Sequence, residues 1–225
     1  SGTDKVKDLG GSSGSDQDVI VVNAGATLNA VDIIGFTATT STKNDSTNAN
    51  NAVLNAKDGQ NVTINVSAAT GSSKAFKIVG GTGLDILTGG AGADIISGGD
   101  AVDTIVGNGG VDTITGGVGD DIITGGSGND TFNVNSGIDA ITDLSDGDIL
   151  KITSGCTANA TGITSFIATS ASINNSDVNK GNLTAASGGA TIDLGLIASG
   201  SGFTVTGGAG ADTLKGSSGN DIILG

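Results

Sequence analysis

Aspartate returns at every ninth position through the middle of this chain, as Asp85, Asp94, Asp103, Asp112, Asp121 and Asp130. Each stands sixth in a nine-residue unit, and six such units follow one another without insertion over residues 80–133. They read GGTGLDILT, GGAGADIIS, GGDAVDTIV, GNGGVDTIT, GGVGDDIIT and GGSGNDTFN. Carboxylates are hard oxygen donors of the kind that calcium takes in sets of six to eight oxygens. Identical anions repeated in register repel one another unless a cation lies between them. The pattern is therefore that of a repeated cation site. The alternative is a set of Gly-Asp turns in which each aspartate bonds its own backbone as an Asx-turn.

Positioning such carboxylates takes a short strand and a turn. The three places after each aspartate suit a strand whose middle residue faces inward: Leu87, Ile96, Ile105, Ile114, Ile123 and Phe132. Places seven and nine then face outward. The other six places suit a glycine-rich turn. Two units close one coil of a flattened solenoid with a sheet on each side, so units n and n+2 stack on one edge. Stacked strands lie about 4.8 Å apart, and calcium binds oxygens at about 2.3–2.6 Å, so an ion fits midway between two stacked loops. The expected pairs are Asp85 with Asp103, Asp94 with Asp112, Asp103 with Asp121, and Asp112 with Asp130.

The nonapeptide G-G-x-G-x-D-x-U-x is a calcium-binding repeat pattern of parallel β-rolls, and these units resemble the RTX, or haemolysin-type calcium-binding, repeat family. The resemblance implies bound Ca2+ as several ions, and carbonyl ligands from the second and fourth places. Those are Gly81 and Gly83, Gly90 and Gly92, Gly99 and Ala101, Asn108 and Gly110, Gly117 and Gly119, and Gly126 and Gly128. The third unit departs from the pattern with Ala101 at a usual glycine and an extra carboxylate, Asp100. The fourth has Asn108 at its second place, where asparagine tolerates left-handed geometry.

A second array begins at Gly207 with GGAGADTLK and GSSGNDIIL, adding Asp212 and Asp221 and the carbonyls of Gly208 and Gly210. The match extends backward. AFKIVGGTGLDIL from Ala75 aligns with GFTVTGGAGADTL from Gly202, and IIGFTATT from Ile33 with ITSFIATS from Ile163. SGTDKVKDL at Ser1 resembles SGIDAITDL at Ser136. The exit segment after the first array alternates apolar residues with Asp139, Asp143, Asp146 and Asp148. It resembles the segment that commonly closes RTX arrays, where Asp139, Asp143 and Asp148 would complete the last sites; a polar-faced strand and turn is the other reading. GSSGSDQDV from Gly11 resembles a repeat loop, with Asp16 at the ligand place but Asp18 at the inward one.

Four segments result: 1–78, irregular β with an aspartate-rich start; 79–152, the β-roll with its exit segment; 153–206, irregular β; and 207–225, the start of a second roll. The segments outside the arrays are rich in Thr, Ser, Asn, Ala and Val, with short alternations that suit strands of an irregular β-helix or a small sandwich. KNDSTNANN from Lys43 reads as a loop. The fold class is all-β, and helix signals are poor.

Composition narrows function. The chain has 225 residues, 23 acidic residues that are all aspartate, nine lysines and a formal charge of −14, which disfavours nucleic acid and anionic membranes. No apolar run reaches membrane-spanning length. GGSSG at Gly10 satisfies G-x-S-x-G, yet with no histidine no hydrolase triad can form in this chain. No P-loop occurs. The single Cys156 has no partner for a disulfide or a zinc site. Sequons at Asn61 and Asn182 follow from an Asn- and Thr-rich composition.

The chain reads as part of a longer protein and most resembles a module of a bacterial surface-layer (S-layer) protein. That likeness implies a secreted, calcium-stabilised structural role at the cell surface, self-association into a lattice, and no enzyme activity. The alternatives are the folding and secretion region of an RTX enzyme or toxin, and an extender or ligand-binding module of an RTX adhesin.

Overall fold

The computed structural model describes residues 3–7, 19–24, 26–46, 52–71, 74–177 and 180–225, the first stretch by its backbone alone. Asp16, Asp18 and the GGSSG run at Gly10 lie outside the described residues. Among those residues there is no helix, and every strand ladder is parallel. The chain winds as an all-β parallel solenoid of about ten turns. A nine-stranded and a ten-stranded sheet form its two long sides, and a three-stranded and a two-stranded sheet add a third side in places.

Within the array one coil takes two nonapeptides, so Ile95 pairs with Thr113 and Thr104 with Ile122. The eighth-place residues form two files down the interior, Leu87, Ile105 and Ile123 on one sheet and Ile96, Ile114 and Phe132 on the other, each no more than 1% exposed. At roughly 1.5–3 kcal/mol per fully buried side chain, these files are the main apolar contribution of the array. The strands are longer than the three places expected. Ile95–Asp100, Thr104–Gly109, Thr113–Val118 and Ile122–Ser127 run on into the next unit. The ladder survives the bend because its second-place residues take positive φ, 120° at Gly99 and 121° at Gly117, and pair directly with each other. A Cβ on Gly99 would collide with the Gly81 carbonyl. Glycine is thus required there by close approach as well as by φ.

The spacer segments are not a separate sandwich. They continue the same parallel sheets with coils lengthened to about two dozen residues: Leu28 pairs with Ala52, Val53 with Lys77, and Ala158 with Gly181. The extra residues make a third side. All five phenylalanines, Phe36, Phe76, Phe132, Phe166 and Phe203, are buried in the resulting core. The run from Lys43 is also not wholly a loop, because Lys43–Asn44 is a strand paired with Val21–Val22. Asn44 is fully buried, donates from Nδ2 to the Ala75 carbonyl, and accepts the Ser46 N–H at 2.9 Å. Its amide satisfies backbone groups that the corner would otherwise strand. The rest of that run, residues 47–51, lies outside the described residues.

Candidate metal centre

The aspartates form two stacks, one along each edge of the solenoid. On one edge the Val62 N–H donates to Asp85 Oδ1 at 2.7 Å, Asp85 N–H to Asp103 at 2.8 Å, Asp103 N–H to Asp121 at 2.8 Å, and Asp121 N–H to Asp139 at 3.2 Å. On the other, Phe76 N–H donates to Asp94 Oδ1 at 2.6 Å, Asp94 N–H to Asp112 at 2.7 Å, and Asp112 N–H to Asp130 and Asp130 N–H to Asp148 at 2.8 Å. Each carboxylate thus spends one oxygen on the amide of the preceding coil. These Oδ1 bonds cross from coil to coil, whereas the bond of an Asx-turn would stay within one loop.

The second oxygen is the informative one. Oδ2 of Asp85, Asp103, Asp112, Asp121 and Asp139 is buried without a hydrogen-bond partner. An unpaired buried carboxylate oxygen is costly, and along one stack it recurs in every coil, at Asp85, Asp103, Asp121 and Asp139; in the other it occurs at Asp112, while Oδ2 of Asp94 and of Asp148 accepts the N–H of Gly90 and of Ser145. Burial accordingly pushes Asp94, Asp103, Asp112 and Asp139 up to about 7 and Asp148 to about 6, against the backbone N–H bonds that hold them down. Asp85, Asp121 and Asp130 are raised from the same chief cause. Neighbouring aspartates add to the rise at Asp103, Asp112 and Asp139.

The space facing these oxygens is kept open by glycine. A Cβ on the first-place residues Gly80, Gly98, Gly107 or Gly116 would strike Oδ2 of the aspartate five positions on. At Gly80, Gly89, Gly98 and Gly107 it would also strike the carbonyl of the first-place glycine two units later, namely Gly98, Gly107, Gly116 and Gly125. Beside Gly116 the same point lies 3.0 Å from Asp139 Oδ2. Carboxylate and carbonyl oxygens therefore converge where no side chain intrudes. Among the described residues no three carboxylates form a compact cluster, so a cation here would need backbone oxygens. An all-oxygen set of mixed carboxylates and carbonyls suits calcium and offers nothing to a soft metal.

The other sequence candidates fall into several positions. Second- and fourth-place carbonyls lie against the same place one coil on: Gly81 on Gly99, Gly99 on Gly117, Asn108 on Gly126, Gly92 on Gly110, Ala101 on Gly119, and Gly110 on Gly128. Gly83 packs on the Gln60 carbonyl, Gly208 on that of Ala186, and Gly210 on Gly189. The Gly90 carbonyl accepts the Gly109 N–H at 3.1 Å. Asp100 is exposed at the end of strand Ile95–Asp100. In the exit segment Asp139 and Asp148 extend the two stacks, whereas Asp143 accepts the Gly125 and Gly126 N–H groups with its two oxygens, at 2.8 and 2.7 Å. Asp146 holds Ser165 and the Ile167 N–H. In the second array Ala190 N–H donates to Asp212 Oδ1 and Phe203 N–H to Asp221 Oδ1, both at 2.8 Å, and Gly208 N–H donates to Asp212 Oδ2 at 3.1 Å.

Sequence reasoning overlooked the first-place carbonyls. A signal for them exists within the chain, because the first place is glycine in all eight units, while the second admits Asn108 and Ser217 and the fourth Ala101.

The family described as RTX calcium-binding nonapeptide repeat (4 copies) matches residues 77–105, 106–141 and 204–225. No curated protein and no solved structure matches the chain. The matched stretches include both aspartate stacks from Asp85 to Asp139 and the aspartates of the second array, so the solenoid is one that carries RTX calcium-binding repeats.

Proposed function

We propose that this chain is a calcium-ordered structural module of a secreted bacterial cell-surface protein, of the kind that assembles into a surface layer. One observation carries the calcium part of the reading: the row of buried, unpartnered Oδ2 atoms facing glycine-lined space. Asp85, Asp94, Asp103, Asp112, Asp121, Asp130, Asp139 and Asp148 would hold the ions together with first-place carbonyls and those of the second and fourth places. Bound calcium would neutralise each stack and couple adjacent coils, so that metal binding becomes folding free energy. The surface-layer part is supported by the modular repetition, by the absence of histidine and by the Thr/Ser/Asn-rich spacers; the module itself would perform no catalysis.

Adding millimolar calcium to the metal-free chain should increase β circular dichroism, and a chelator should reverse the gain. Magnesium should substitute poorly, since it prefers a tighter octahedron and keeps its waters. An unchanged spectrum would overturn the calcium reading. Electron microscopy of the full-length protein with calcium should show two-dimensional sheets; dispersed particles would remove the lattice role and leave calcium binding standing.

A further inference from the structure

The two spacers are built on one backbone frame. Ile33, Phe36, Ala38, Asn44 and Ser46 are buried in the first, and so are Ile163, Phe166, Ala168, Asn174 and Ser176 in the second. Asp32 and Gly162 take positive φ at the same point, 57° and 72°. The Thr42 N–H donates to the Thr39 carbonyl as the Ser172 N–H does to that of Thr169. Asn44 and Asn174 donate to the carbonyls of Ala75 and Gly202, and one residue further the Phe76 and Phe203 N–H groups reach Asp94 and Asp221.

The frame nonetheless enters opposite sheets. Strand Thr27–Ile33 belongs to the nine-stranded sheet, and its counterpart Thr157–Ile163 to the ten-stranded one. Lys77–Gly81 and Phe203–Thr206 are divided in the same way. The cause is the array between them. Successive strands there alternate between the two sheets, and eight strands separate Lys77–Gly81 from Thr157–Ile163. The next strand must therefore fall on the sheet opposite Lys77–Gly81. The buried residues of the two corners match, whereas exposed ones differ, with Thr37 and Ser41 in the first against Ile167 and Ala171 in the second.

We infer that the nonapeptide array is a phase-setting spacer: its repeat count decides which side of the solenoid displays the next spacer corner. Six units send equivalent corners to opposite sheets, and one unit more or fewer would bring them to the same sheet. One frame thereby presents two different surfaces on two sides. The inference rests on the array being ordered, and so on the calcium reading.

The test places spin labels at Thr40→Cys and Ser170→Cys, equivalent exposed corner positions, in the Cys156→Ser chain with calcium. Distances would be compared among the parent, chains lacking residues 107–115 or 107–124, and chains with either stretch duplicated. The parent and the two eighteen-residue variants should lie on one line of distance against length, and both nine-residue variants should fall below it. All five on one line, or distributions too broad to define a distance, would overturn the inference. Circular dichroism of the same samples separates the two readings. A gain of β signal with calcium alongside a single line removes phase setting alone, while no gain removes both.

Discussion

Asp103 accepts the N–H of Asp85 through Oδ1 at 2.8 Å, while its Oδ2 is buried beside the first-place glycine Gly98 with no partner. One carboxylate thus does two things on two sides. Oδ1 tethers the preceding coil, and Oδ2 faces the space in which a cation would sit.

That division predicts different outcomes for two substitutions. Asp103→Ala removes both functions and leaves the Asp85 amide unpaired in the interior, a loss of about 1–3 kcal/mol in addition to lost calcium. Asp103→Asn keeps an acceptor for the amide and loses the charge. Calcium titrations should show weakened binding in both variants, with the calcium-free melting temperature lowered much more by alanine. Equal melting temperatures would contradict the tether.

Sharing between coils makes position matter. Asp103 and Asp112 each have stack neighbours within the array on both sides, so their alanine variants should each lose binding equivalent to two sites. Asp85 begins its stack against the amide of Val62, and Asp85→Ala should lose one site and an end position. Isothermal titration would read this as unequal losses of stoichiometry or affinity. Equal losses for all three would refute bridging between coils.

Acid should partly replace calcium. The folded-state pKa values of Asp94, Asp103, Asp112 and Asp139 are raised to about 7, against about 3.9 in an unfolded chain. Between these values the folded state binds more protons than the unfolded one, so calcium-free stability falls as pH rises through that window. Calcium requires the ionised form, and its affinity should rise over the same range. Metal-free protein should therefore melt higher at pH 5 than at pH 8, and the increment from calcium should be larger at pH 8. Asp103→Asn should flatten the metal-free slope. A metal-free protein more stable at pH 8 would refute the assignment.

The third unit carries a local cost. Ala101 holds φ at 79° where the fourth places of the next three units are glycines with φ of 122°, 146° and 136°. A left-handed residue with a Cβ costs roughly 1–2 kcal/mol, and the greater freedom of glycine in the unfolded chain returns part of that. Ala101→Gly should stabilise the calcium-bound protein by about 0.5–1 kcal/mol in denaturant melts, with calcium stoichiometry unchanged. Asn108, at φ 75°, donates from Nδ2 to the Gly89 carbonyl at 2.8 Å, and Asn108→Val should destabilise through both losses.

The solenoid and its inward residues were legible because strand, turn and ligand share one nine-residue period, which repeats often enough to fix register. The spacers lack that period. Their buried corner residues Asn44 and Asn174 are polar, and in sequence a polar run reads as loop; bonds to the carbonyls of Ala75 and Gly202, in the next coil, hold them in the interior. The separate uses of Oδ1 and Oδ2 were illegible for a different reason. They depend on which coil lies above and which below, and a linear motif does not record that.

Assembly offers the last prediction. Places seven and nine face outward, and on the ten-stranded sheet Ile86 and Ile122 flank Thr104 in adjacent coils, 52% and 46% exposed. The neighbouring edge adds Leu84, Val102 and Ile138, about half exposed, with the exposed Asp120 between the last two. On the nine-stranded sheet the corresponding places hold Ile95, which is half-buried, Thr113 and Thr131. Scattered exposed apolar residues are ordinary, and the array has others at Val111 and Val118 on its other side, but Ile86 and Ile122 stand in one row of one sheet, and grouped apolar exposure commonly marks an interaction site. If this side makes the lateral contact between molecules, Ile86→Lys combined with Ile122→Lys should leave calcium-induced circular dichroism intact and lower the association measured by sedimentation velocity in calcium. The matched control is Thr113→Lys with Thr131→Lys on the opposite sheet, which should leave association unchanged. Normal folding with undiminished association in the isoleucine variant would assign the contact to another face.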